Sequence, residues 1–206
     1  MNKTYSISEL TPFINWLYFY HAWGLSGKPR EDKEKMKQEA LQMLASWEEK
    51  YHTHAIFRLF EVCSEGDDLI FFLPGTRFRF PMLRQQHPSA PGEPNLCLAD
   101  FIRPLSQGIR DQVGVFCTSV DGTIIDEYRH DDYLNMMAQT LCDRLAEATA
   151  EKLHEEVRRD REYWGYAPDE NLTIEQQHRE EYQGIRPAIG YPSLPDTSAN
   201  FIIDQL

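Results

Sequence analysis

From Thr11 the chain reads TPFINWLYFYHAW, with apolar side chains around almost the whole circumference of a helix rather than on one stripe. Thr11 followed by Pro12 suits a helix start, where the missing proline N–H costs nothing, and Gly24 suits the position just past the end. The pattern predicts one helix through this stretch, either largely buried or covering another surface. Residues 29–50 are charged, with Met36, Ala40, Met43 and Leu44 spaced as the inner stripe of an amphipathic surface helix. The period then drops to two. HAIFRLFEV (54–62) and DLIFFL (68–73) flank Ser64-Glu65-Gly66-Asp67 and predict a β-hairpin, and TRFRF (76–80) alternates as a half-exposed strand does. A Pro/Gly-rich loop at 88–94 precedes another strand candidate, VGVFCTSV (113–120). The longest pattern is helical, from about residue 131 to 160. Leu134, Met137, Leu141, Leu145, Ala148 and Val157 mark its inner face, with Leu153 beside them, while Arg144, Glu147, Glu151 and Glu155 mark the outer one. Thr173 with Gln176 predicts the cap of a short helix ending near Tyr182. Strands joined by hairpins, with helices toward both ends of the chain, predict an α+β fold: a single domain with a mainly antiparallel sheet and flanking long helices.

At 206 residues and 41% hydrophobic content the chain can bury an ordinary core as one domain. A net charge of −12 argues against nucleic acid and against anionic membrane surfaces as partners. No run of apolar residues is long enough to span a bilayer, and MNKTYSISELTPF lacks the apolar stretch of a signal peptide, so a cytoplasmic protein is expected. Cys63, Cys97, Cys117 and Cys142 are far apart and in apolar settings, which predicts buried free thiols. The sequence contains no GxGxxG, P-loop, HExxH or GxSxG motif, so no catalytic residue is assigned. His130-Asp131-Asp132 reads as the start of the long helix rather than as a metal site. His52 and His54 are expected to face opposite ways on their strand, and so not to share a metal.

One stretch fits none of these elements. GIRPAIGYPSLPD (184–196) has too many prolines and glycines for a helix or strand, yet Ile185, Ile189, Tyr191 and Leu194 keep it more apolar than a disordered tail. It reads as an ordered, proline-stiffened loop with an arginine near its head.

Its flanking string REEYQGIRPAIGYP, together with DRLAEATAEKLHEEVR, YWGYAPDENL, LRQQ (83–86), NLCLADFI (95–102) and HDDY (130–133), resembles the activation domain of cobalamin-dependent methionine synthase. The resemblance runs from ISELTPFINW onward, with the strings in the family's order. It implies a domain, here residues 1–206 and truncated at the C-terminus relative to the longer family form, that binds S-adenosylmethionine and offers its methyl group to a corrinoid. The cobalamin would be carried by a separate partner, the corrinoid-binding methionine synthase core, with a flavodoxin-like electron donor. The resemblance also implies a ligand set. Arg186 would bond the ligand carboxylate, and backbone groups around Ala188 and Gly190 would read the adenine, with Tyr191 as an apolar wall. Glu147 and Glu180 stand where the family places carboxylates near the cationic end of the ligand. Asn15 stands where aspartate is usual, keeping a hydrogen-bond acceptor without the charge. The alternative is a non-catalytic docking module for a corrinoid protein that does not itself bind S-adenosylmethionine.

Overall fold

Strand β1 (Asn2–Ser6) pairs antiparallel with the start of β2 (His52–Glu65), Asn2 opposite Ile56 and Ser6 opposite His52. A computed structural model of the chain describes residues 1–161 and 186–203. The end of β2 continues antiparallel into β3 (Asp68–Leu73), and β3 into β4 (Thr76–Phe80), while β5 (Asp111–Val120) pairs with β2. The expected hairpin is present: Glu65 faces Asp68 across a two-residue turn that Gly66 enters with φ of +63°. The α+β fold with a mainly antiparallel sheet is therefore as the sequence predicts.

The described residues form two compact units. The first contains β1, the opening of β2 through Phe57, the close of β5 from Phe116, and four helices: α1 (Ile7–Leu10), α2 (Trp16–Ala22), α3 (Arg30–Trp47) and α4 (Asp132–Arg161). Its core gathers Leu10, Phe19, Leu44 and Trp47 with Met137, Leu141, Leu145 and Ala148 of α4. A buried polar contact from sheet to helix is satisfied. The Thr53 and Thr149 hydroxyls lie 2.8 Å apart, and Thr149 donates to the Leu145 carbonyl at 2.7 Å. Asp131 caps α4, accepting from the Leu134 N–H at 3.0 Å, which gives the HDD string its structural role.

The second unit holds the rest of β2, β3, β4 and the opening of β5, with α5 (Ala199–Ile203). Val62, Leu69, Phe71 and Phe80 supply the strand side of its core, and Met82, Cys97, Ala99, Leu194 and Ala199 supply the other side from chain with little regular structure. Arg84 pins that chain in place. Its guanidinium donates to Asp67 and Asp100, each at 2.7 Å, and to the Asn95 carbonyl at 2.8 Å.

Several expectations fail, each for a local reason. The single helix expected from Thr11 is two pieces, with a separate short helix before them. Ser6 caps α1 through a reciprocal pair with Glu9, Thr11–Phe13 make one 3₁₀ turn, Ile14 is extended, and Asn15 caps α2 by accepting from the Leu17 N–H at 3.1 Å. An asparagine that caps the next segment ends the previous one. Nor is this stretch largely buried, since Leu17 and Tyr18 are 60% and 54% exposed. Leu134, expected in the core, is 37% exposed. Cys63 and Cys97 are buried free thiols, but Cys117 is exposed and Cys142 only partly covered. His52 and His54 do not face opposite ways. They flank buried Thr53, and both engage Asp121, through the His52 N–H at 2.8 Å and His54 Nε2 at 3.0 Å. Residues two apart in a strand share a face. The short helix expected from Thr173 lies outside the described residues.

Candidate functional site

The implied ligand residues fall into two sets, one in each unit, with Glu180 outside the described residues. In the first unit, Asn15 sits at the start of α2 and Glu147 on α4, two helices that pack together. The same surface carries two residues that the sequence did not single out as ligand-linked. Arg144, one helical turn before Glu147, forms an ion pair with it, and the Arg144 guanidinium lies 5.6 Å from the centre of the Tyr18 ring on α2. Arg144 is largely covered, so Glu147 is held in place by a cation with little freedom. The Arg-x-x-Glu spacing inside DRLAEA was the available signal for that pair. Asn15 is exposed and already uses its carbonyl oxygen as the α2 cap, so its amide N–H groups are its remaining donors.

In the second unit, Arg186 to Asp196 form a turn-rich loop. Gly190 adopts φ of +94°, a conformation that side chains with a Cβ rarely enter, although a Cβ there would meet nothing closer than Thr197 Cγ2 at 3.9 Å. Glycine is thus required by the backbone angle and not by lack of space. The turn is closed by its own hydrogen bonds. The Gly190 N–H donates to Leu194 O at 2.8 Å, the Leu194 N–H returns to Tyr191 O at 2.9 Å, and the Tyr191 N–H meets Ala188 O at 3.1 Å. Ser193 and Leu194 are buried, Ala188 and Gly190 are exposed, and Tyr191 is 60% exposed. Arg186 is half-buried, and its Nη1 is shielded from solvent. The loop therefore presents a constrained arginine and an open tyrosine ring from a base anchored in the core.

What each set can do is bind and orient. A guanidinium on a stiff loop suits a carboxylate, and a braced glutamate suits an ammonium or sulfonium. The described residues contain no group of three histidine, cysteine, aspartate or glutamate side chains able to hold a metal, and no helix long and apolar enough to cross a membrane. Fold and side chains define an α+β domain built on an antiparallel sheet, with a candidate set of ligand-contacting residues in each unit. The chain belongs to the vitamin B12 dependent methionine synthase activation domain family, whose model matches residues 6–206. A solved structure agrees with that assignment. The crystal structure of the MetH reactivation domain bound to AdoHcy is similar over 99% of this chain and 68% of that one, at 34% identity and a TM-score of 0.78.

Proposed function

We propose that this chain binds S-adenosylmethionine and acts as a reactivation subunit, supporting reductive methylation of the cobalamin held by a methionine synthase core in trans. The observation that carries the reading is the 34% identical reactivation domain bound to AdoHcy, which is S-adenosylmethionine without the transferred methyl group. The donor set fits such a ligand: Arg186 meets its carboxylate, Glu147 and Glu180 its cationic end, and Tyr191 forms an apolar wall, with Ala188 and Gly190 as the stretch of backbone within its reach. Asn15 adds an amide hydrogen bond without a charge. Because the Gly190 N–H is engaged by Leu194, the adenine is read by other backbone groups of the loop.

S-adenosylmethionine supplies a methyl group already activated on a sulfonium, for transfer to the cobalt carried by the partner. No general base is needed on this chain. Its residues hold the ligand carboxylate and ammonium so that the methyl group points outward, and they exclude water from the sulfonium. The corrinoid-binding core is the principal partner, a flavodoxin-like protein is the electron donor, and the site of action is the cytoplasm.

Calorimetric titration tests the reading. Binding of S-adenosylmethionine at micromolar to millimolar dissociation constant is expected. Arg186→Ala should weaken it by at least about tenfold, since hydrogen bonds between charged groups contribute roughly 1.5–3 kcal/mol. No binding to the folded chain, alone or with a corrinoid core present, would favour the docking module instead.

A further inference from the structure

A cavity of about 390 Å³ opens in the first unit where the start of α4 faces α3. That volume falls at the lower end of small-molecule sites, roughly 300–1,000 Å³. None of the residues just discussed as ligands lines it. Met43, Leu134 and Met137 give it apolar, polarisable walls, and the Tyr128 and Tyr133 side chains add aromatic surface. Both tyrosines are held from outside the cavity. The Trp47 indole N–H donates to the Tyr128 hydroxyl at 2.9 Å, and the Trp23 ring meets Tyr133 edge-on at 5.3 Å. Among the described residues Glu39 is the only charged side chain on the wall, and the Tyr133 hydroxyl donates to its Oε2 at 2.5 Å. That bond orients the carboxylate and leaves Oε1 for a guest. The hollow also accounts for Leu134, which sits on the core stripe of α4 yet remains exposed.

The chemistry of the wall selects its ligand. With one carboxylate, no lysine, arginine or histidine on the lining, and a chain of net charge −12, an anion meets repulsion and no donor able to offset it. One carboxylate is also too few ligands for calcium or zinc. An organic cation satisfies every wall at once, with its charged group on Glu39 and its body against the rings and thioethers. We propose that this cavity is a binding site for a small organic cation, separate from the S-adenosylmethionine site and independent of that assignment.

Three near-isosteric probes, benzylamine, benzyl alcohol and benzoate, differ mainly in charge. In amide NMR titrations of the full chain, benzylamine should give saturable shifts around Glu39, Tyr133 and Met137 at millimolar concentrations, and benzoate none. Glu39→Gln should weaken benzylamine at least about fivefold, the scale of losing one partly screened ion pair. Ser46→Lys, at an exposed helical position on the rim, brings a cation to the same wall without touching the core. It should abolish benzylamine binding and admit benzoate. Arg186→Ala should leave benzylamine binding unchanged, which separates this site from the one proposed above. Benzyl alcohol binding as tightly as benzylamine, or no saturable shift with any probe, would overturn the proposal.

Discussion

In the first unit, the inner residue Thr53 of β2 meets Thr149 on a helix of 30 residues, and the core beyond it is filled from helices whose apolar stripes repeat with a helical period. In the second, the inner residues Val62, Leu69 and Phe71 of the hairpin are covered by Met82, Cys97, Ala99, Leu194 and Ala199, drawn from separate stretches with little regular structure. A helix-built core advertises itself in sequence. A loop-built core does not, because residues without a shared period look like linker until they are seen packed. The contrast bears on function, because Leu194 belongs both to the second core and to the turn that closes on Gly190. In this unit the candidate ligand loop is part of what stabilises the fold.

The strongest way to break that comparison is a matched pair of core truncations. Leu145→Ala and Leu194→Ala should each cost about 2–5 kcal/mol, Leu145 toward the upper end because it is fully enclosed. Denaturant titration measures this. They should differ in binding: Leu145→Ala leaves S-adenosylmethionine affinity under native conditions unchanged, whereas Leu194→Ala lowers it. Equal affinities in the two variants would sever the link between core and loop.

A smaller effect is expected at Gly190→Ala. The added methyl group has room, so the cost is backbone strain alone, about 1 kcal/mol, with ligand affinity falling alongside stability. A variant as stable as the parent would show that the positive φ is not required.

Arg84 tests how the irregular chain of the second unit is held, and the expected cost of Arg84→Ala is of order 1 kcal/mol because the network is partly exposed. The Arg84 guanidinium holds the Asp100 carboxyl below the ordinary aspartate range. A carboxyl whose folded value is depressed stabilises the fold fully above its unfolded value, about 4, and loses that contribution as pH falls through the lower folded value. Acid unfolding curves of Arg84→Ala should therefore lie closer to the parent below about pH 4 than at neutrality. Asp121, lowered by the His52 N–H and by His54, gives the first unit the same sign of dependence, so it persists in the variant.

How far the sequence could be read follows from these cases. The α4 stripe, the Gly66 hairpin and the α+β class rest on sustained periodicity and on one turn, and they are present. The stretch from Thr11 misled because apolar residues at every angle carry no phase, so nothing but the capping chemistry of Asn15 marked the break. The exposed Leu134 lay on the right stripe, but a stripe says nothing about whether its partner across the gap is present. At the candidate site, Arg186 and Gly190 stood out because their string is uncommon and stiff. Tyr18 did not, because its link to Glu147 runs through Arg144 and joins segments far apart in sequence.

The second unit has a consequence for biosynthesis. Its strands and first loops, through Val115, leave the ribosome well before Leu194 and Ala199 do, and α4 is translated in between. Because the amino-terminal end of a chain emerges first, Phe71 and its neighbours wait, partly uncovered, until Leu194 and Ala199 have been made. The segment proposed to grip S-adenosylmethionine is therefore also the plug that ends this interval of exposure, and a nascent chain stalled before it would be a natural client for a chaperone.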